Sequence, residues 1–298
     1  MSKIFSFDAT LLNNISCPRK GKFSSVMNFR PIDTPTYFDY GDLMHYMLEL
    51  YYQKQVEGET KIRAKEYAVE QARIYYPKLS LPVPDCEECV ANFLAYCTYW
   101  HNDTWVPLPN RIEEAFAVPV YEDKDYQWSD SDTGITLVAQ GVIDLEIRTE
   151  NDQEVLVDHK TPSRNREPEK LGYQFPLYCY ARNKRKVIIN HVGKQKTLKP
   201  ADKFIRYQRF YSEDWLAEFM VHVVDKVLNW VKMLEAGEFQ PDFSSCDKFN
   251  GCIYRRVCEQ APRMRDQVLE MYFKPSEPWD PWTKGSKKLA KILEGKDE

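Results

Sequence analysis

The chain has 298 residues, a net charge of −4, 43% hydrophobic and 29% charged residues. That length suits one large or two ordinary domains with a sizeable core, and the composition is that of a soluble globular protein. The acidic balance excludes a general basic field, so any nucleic-acid contact must rest on a local basic patch. No stretch is long and apolar enough to span a bilayer, and the opening MSKIFSFDATLLNN lacks the continuous apolar run of a signal peptide. The expectation is a cytoplasmic protein with no membrane partner. There, eight cysteines read as buried thiols or metal ligands rather than disulfides.

In chain order, residues 8–16 predict a short helix with Asp8 or Thr10 as cap, running into Cys17-Pro18. Residues 42–56 repeat apolar positions at helical spacing, with Gly41 just before the first turn, and 61–77 and 87–101 read as helices too. Strands follow at 112–120, 134–148 and 154–159, with the polar stretch YEDKDYQWSDSDTG as the loop of a hairpin. A helix at about 168–182, strands near 186–192 and 203–210, and an amphipathic helix over about 212–236 complete the periodic part. The last 60 or so residues are loop-rich. Helices, then a run of strands, then mixed elements indicate an α/β domain with a helical N-terminal insertion.

The segment LVDHKT ends an apolar strand with Asp158, His159 and Lys160. Side chains alternate along a strand, so Asp158 and Lys160 share one face and His159 takes the other. Fourteen residues earlier, G-V-I-D ends at Asp144, and two neighbouring strands of a meander would bring the two carboxylates together at a sheet edge. Like charges repel there unless a divalent cation neutralises them, and hard oxygen ligands suit Mg²⁺ or Mn²⁺. Each piece has an ordinary explanation alone. A D-x-K at a strand end is often a surface ion pair, and a histidine such as His45 in an amphipathic helix is often a core or boundary residue.

Taken in order, Asp144 and Asp158-x-Lys160 resemble the signature of the PD-(D/E)XK nuclease superfamily. Gly41-Asp-Leu-Met-His45, before them, and Gln174-Phe-Pro-Leu-Tyr178, after them, resemble its RecB-type branch, and Glu113 matches an acidic place often seen in such proteins. The resemblance spans roughly residues 8 to 260. It implies a restriction-endonuclease-like α/β core, a central mixed sheet flanked by helices. It also implies metal ligation by His45, Asp144, Asp158 and the carbonyl of His159, the histidine tilting preference towards Mn²⁺. Lys160 would orient the attacking water or stabilise the transition state, and Gln174 and Tyr178, one helical turn apart, would position a strand or phosphate.

Cys246, Cys252 and Cys258 lie in a loop-rich stretch, with Cys17 near the other end of the chain. The iron–sulfur members of the RecB-type branch have this layout, although the gap between Cys246 and Cys252 is longer than their common spacing. The implied cofactor is a [4Fe–4S] cluster or, as the alternative, Zn²⁺, holding the two ends of the chain together without taking part in the chemistry. Cys86, Cys89, Cys97 and His101 share roughly one helix face with Phe93 and read as core, since Cys86 and Cys97 would stand about 16 Å apart along the axis. Cys179 reads as packed against the sheet.

Arg182, Lys184, Arg185 and Lys186 form a basic run after the Gln174–Tyr178 helix, with further lysines at 194, 196 and 199, and Arg19, Lys20 and Lys22 after Cys17. Such a run is commonly a solvated face, but these flank the expected site and offer phosphate contacts. The organisation expected is one nuclease domain over 1–265. It holds a helical insertion at about 55–105, a core at about 110–236 and an iron–sulfur segment of Cys17 plus 241–260. A tail follows over 266–298.

The activity implied by the resemblance is exonuclease action on single-stranded or free DNA ends, as in CRISPR-adaptation, AddB-type recombination and phage nucleases. Its setting would be a bacterial or phage-infected cytoplasm. The chain carries no G-x-x-x-x-G-K-[ST] motif, so any helicase or recombination motor is a separate partner. The alternatives are a DNA-binding or assembly subunit with a vestigial site, and an RNA-processing nuclease.

Overall fold

Asp8 accepts a 2.6 Å hydrogen bond from the Leu11 N–H and so caps the first helix, as its chemistry predicts. The computed structural model describes residues 3–32, 37–164, 167–168, 172–247, 251–279 and 281. The first half of the chain holds β1 (Lys3–Phe7), α1 (Ala9–Asn14), α2 (Pro18–Gly21), β2 (Phe29–Pro31), α3 (Tyr37–Val56), α4 (Lys61–Tyr75), α5 (Val83–Tyr99), β3 (Val106–Gln127) and β4 (Thr133–Arg148). The second half holds β5 (Glu154–Lys160), α6 (Gln174–Ala181), β6 (Lys186–Val192), α7 (Pro200–Lys203), β7 (Phe204–Phe210), α8 (Glu213–Ala236), α9 (Arg255–Cys258), α10 (Arg265–Tyr272) and β8 (Phe273–Pro275). No described helix is long and apolar enough to cross a membrane.

The chain divides into two compact units, with β3 and β4 each running through both. The first comprises Met1–Thr34, Ala117–Gly141 and Asp214–Asp280. In it β1 lies parallel to the first part of β4, Lys3 opposite Ile135 and Phe7 opposite Ala139, and β2 pairs antiparallel with β8. A small core of Phe23, Tyr254, Val257, Leu269 and Phe273 has Cys252 and Cys258 packed against it.

The second unit comprises Pro35–Phe116, Val142–Glu213 and Pro281–Glu298. Here the second part of β4 pairs antiparallel with β5, β5 parallel with β6, and β6 antiparallel with β7, so the sheet is mixed. The fold is α/β, with a mixed sheet flanked by helices. Val155, Val157, Ile188 and Val192 of the sheet share one core with Leu43, Met44, Met47 and Leu48 of α3 and Val90, Phe93 and Tyr96 of α5.

The structure departs from the sequence expectations at particular elements. β3 continues to Gln127 through most of the polar stretch expected as a loop, leaving only 128–132 to turn. α3 begins at Tyr37, so Gly41 lies inside the helix rather than before it. The helix expected over 168–182 is seen as 174–181, and residues 169–171 lie outside the described residues, as does most of the tail. Cys86, Cys89, Cys97 and Cys179 are buried as expected, but His101 lies beyond the end of α5 and is exposed. The strands β1, β2 and β8 carry no signal that the sequence reading picked up.

Candidate active site

β4 and β5 pair with Leu145 opposite Val157. β5 is flanked by β4 on one side and β6 on the other, so the two aspartates meet within the sheet rather than at its edge. Asp144 and Asp158 are both buried, and Asp144 Oδ2 accepts a 2.7 Å hydrogen bond from the His159 N–H. Backbone of one strand thus fixes the carboxylate of the next.

His45 arrives from α3. A Cβ on Gly41, one turn earlier, would stand only 3.3 Å from Thr161 Oγ1 just beyond β5, so the glycine permits the helix to come this close. His45 Nδ1 lies 3.5 Å from Asp144 Oδ2 and 3.7 Å from Glu113 Oε1. Glu113 adopts φ +47° inside β3, a left-handed conformation that costs a non-glycine residue about 1–3 kcal/mol and is retained only where the surroundings enforce it. One ligand atom each from His45, Glu113 and Asp144 lies within 4.8 Å of the others. One imidazole nitrogen and two carboxylates suit a divalent cation of the Mn²⁺ or Mg²⁺ type, and no other group of three or more such side chains among the described residues meets as closely.

Beside this trio, Lys160 Nζ lies 2.7 Å from Asp158 Oδ2 and donates to Gln174 Oε1 at 3.1 Å. Gln174 in turn donates through Nε2 to Asp158 Oδ1 at 2.9 Å and to the Tyr178 hydroxyl at 3.3 Å. The first residue of α6 therefore bridges the acid and the base of the D-x-K pair. The structure places Asp158 against Lys160 and Gln174, and the carboxylate that joins Asp144 beside His45 is that of Glu113, outside the ligand set expected from the sequence.

His159 points away from this face, as strand alternation requires. Its ring stacks on Tyr52 at 5.8 Å, and its Nδ1 accepts from Asn190 Nδ2 at 2.8 Å. Asn190 also donates to the Tyr96 hydroxyl, which Tyr52 contacts at 3.1 Å. Arg206, paired with Asp103 at 2.6 Å, closes the pocket between the rings of Trp100 and Trp105.

Burial pushes the pKa of His159 down to about 3, against the opposing pull of Asp144, and that of His191 down to about 4, with Lys160 adding to it. Burial raises Asp158 above the usual carboxylate range; Lys160 opposes the shift and Asp144 adds to it. The histidines stay neutral in the fold but charge in the unfolded chain, so their contribution is complete above about pH 6.5 and is lost as pH falls towards 4. Asp158 has the opposite sign and takes back part of the loss. The expected result for metal-free protein is a net loss of about 2 kcal/mol of stability between pH 7 and pH 5, read from urea unfolding at the two pH values.

The four cysteines expected to act together all belong to the first unit. Cys17 Sγ accepts from the Asp242 N–H at 3.3 Å, Cys246 Sγ approaches the carbonyl of the same residue at 3.9 Å, and the Cys252 N–H donates to the Cys246 carbonyl at 2.8 Å. Gly251, at φ +96°, supplies the left-handed residue that precedes this return. Cys246 and Cys258 have raised pKa values, through burial first; Arg19 opposes the shift at Cys258, and Cys17 and Cys252 add to both. No three of these sulfurs fall within the 4.8 Å that groups the other trio, whereas thiolates around one Zn²⁺ stand about 3.8 Å apart.

In the basic run, Arg182 pairs with Glu114 and Glu146, Lys184 with Glu154 at 2.5 Å, and Arg185 with Glu213. Three of the four charges are thus matched by carboxylates of the same unit. Lys186 opens β6, opposite Phe210 of β7.

A family model of the PD-(D/E)XK nuclease superfamily matches residues 11–259. No curated protein sequence matches the chain. Among solved structures, that of SSO0001 is similar at 12% identity, covering 87% of this chain and 88% of its own with a TM-score of 0.36. That of a candidate exonuclease from Eubacterium rectale is similar at 13% identity, covering 88% and 92% with a TM-score of 0.45. Both likenesses are too distant to carry an argument about function. The family match spans most of the chain, and with it the protein belongs to the PD-(D/E)XK nuclease superfamily.

Proposed function

We propose that the protein is a divalent-metal-dependent deoxyribonuclease that removes nucleotides from single-stranded DNA ends. The observation that carries this reading is the meeting of His45, Glu113 and Asp144 within 4.8 Å beside the Asp158–Lys160 pair. His45, Glu113 and Asp144 hold the cation, with Asp158 and the His159 carbonyl on the adjoining strand as further oxygen ligands. A bound Mn²⁺ or Mg²⁺ supplies an acidified water and charge stabilisation at the scissile phosphate. Lys160 offers its ammonium to the negative charge that grows on that phosphate. Gln174 keeps Lys160 and Asp158 at a fixed separation, and Tyr178, one turn along the helix, braces the Gln174 amide.

The same reading gives the first unit a [4Fe–4S] cluster on Cys17, Cys246, Cys252 and Cys258. The four thiols share one unit, Cys17 and Cys252 add to the upward shift of both Cys246 and Cys258, and no three of the sulfurs lie as close as one zinc ion would hold them. A separate motor protein that exposes DNA ends is the partner consistent with an exonuclease domain.

The test is cleavage of end-labelled linear and covalently closed circular single-stranded DNA, each with Mn²⁺, Mg²⁺ or EDTA. The expected result is loss of linear DNA with either metal, no loss in EDTA, and intact circles. Cut circles would make it an endonuclease, and faster loss of RNA of the same sequence would make RNA the substrate. No cleavage, with salt-sensitive DNA binding retained, would leave a binding or assembly subunit.

A further inference from the structure

Gln174, Tyr178 and Arg182 follow one another at intervals of four along α6 and its C-cap, so they lie on one side of the helix. The first reaches the D-x-K pair. The last reaches the two strands that carry the acidic ligands. Arg182 Nη2 pairs with Glu114 Oε2, next to Glu113 on β3, and its Nε lies 3.2 Å from Glu146 Oε1, two residues after Asp144 on β4. These are ion pairs without hydrogen-bond alignment. The guanidinium also lies 6.0 Å from the centre of the Phe116 ring, which meets Tyr178 edge-on at 5.6 Å. Arg182 is only 15% exposed and Glu146 4%, so neither charge is an ordinary surface charge.

Glu114 is held from a second side as well, since Arg111 Nη1 donates to both its oxygens at 2.7 and 3.0 Å. The residue immediately before this clamp is the one at φ +47°. A strained backbone conformation relaxes unless its neighbours are fixed, and here the fixing is charge on charge at the adjacent side chain.

We propose that Arg182 is a positioning residue for the metal site: by clamping Glu114 and Glu146 it holds the Glu113 turn and the Asp144 strand in the geometry that brings both carboxylates to one cation. This rests on the functional reading above, and it gives Arg182 a role other than the phosphate contact expected from its place in a basic run. Loss of outer partners of metal ligands weakens metal affinity by about 10–100-fold. Lysine cannot reproduce a guanidinium that engages two separate carboxylates.

The experiment measures Mn²⁺ binding to metal-stripped protein by electron paramagnetic resonance and DNA affinity in EDTA, for wild type, Arg182→Met, Arg182→Lys and Glu114→Gln. The expected result is Mn²⁺ affinity weakened about tenfold or more in Arg182→Met and less in Arg182→Lys, with DNA affinity unchanged. Arg182→Met leaves the buried Glu146 without its ion-pair partner, while Glu114 keeps Arg111. If it fails to fold, Glu114→Gln, which loosens the clamp while Arg182 keeps Glu146 and the charge it releases, on Arg111, is 41% exposed, decides the matter by the same readout. A folded variant with wild-type Mn²⁺ affinity overturns the proposal, and weakened DNA binding at unchanged Mn²⁺ affinity returns Arg182 to the phosphate. A wild type that binds no Mn²⁺ overturns the functional reading first, and this one with it.

Discussion

Asp144→Asn is expected to lower the rate of phosphodiester cleavage by about 10³-fold and to weaken Mn²⁺ binding by at least tenfold, while the protein stays folded. Asparagine keeps the size of the side chain and an oxygen that can accept the 2.7 Å hydrogen bond from the His159 N–H. What it removes is the negative charge that faces His45 and Glu113 in the three-ligand cluster. Lys160→Ala is the informative contrast. It takes away a cation 2.7 Å from Asp158 and touches none of the three clustered ligands, so the rate is expected to fall by about 10²–10³-fold with Mn²⁺ affinity nearly unchanged. Binding by calorimetry and single-turnover cleavage at saturating metal separate the two. Equal losses of metal affinity in both variants would show that Asp158, freed from its ammonium, is not an independent ligand.

Cys17→Ser is expected to do most of its damage to the fold. Cys17 initiates α2 and meets Asp242, more than two hundred residues further along the chain, where Cys246 also meets that residue. The core in the same unit on which Cys252 and Cys258 pack is small, five buried side chains among the described residues, and small cores commonly need a covalent or metal staple. The purified variant should lose bound iron and sulfide, lose its visible absorbance, and be cut by protease within 241–275. Wild type should carry four iron and four sulfide per chain. Wild-type protein with one zinc per chain and no iron would replace the cluster by a single ion.

The order of the longer elements and the grouping of the candidate site residues are legible in the sequence because both depend on local chemistry. The Asp8 cap, the alternation that separates His159 from Asp158 and Lys160, and the four-residue spacing of Gln174 and Tyr178 are short-range rules. Longer-range facts were hidden. Gly41 reads as a helix boundary because glycine is a poor helix former, yet here it marks a close approach to Thr161 that only the assembled unit reveals. The stretch after Val120 reads as a loop because it is acidic and polar, yet it extends a strand that pairs with β4. β2 and β8 are three residues each, too short for a period to show. Glu113 offered no local sign of its left-handed backbone, and Arg182 looked like one member of a basic run because its two carboxylates lie 36 and 68 residues away in sequence. His101 continues the spacing of a helix face, but the helix ends at Tyr99, before it.

The side chain between Asp158 and Lys160 has a consequence for how the strand finds its place. β5 is bordered by β4 and β6, and a slip of one residue against both would exchange its faces. His159 would then leave the aromatic and amide surroundings of Tyr52 and Asn190, and a carboxylate or an ammonium would enter them in its stead. Burying an unmatched charge there costs several kcal/mol. The native pocket accepts one shape and one hydrogen-bonding pattern, and only the correct alignment delivers them. The surroundings of His159 thus favour the observed alignment of β5 over a one-residue slip, independently of anything bound at the opposite face.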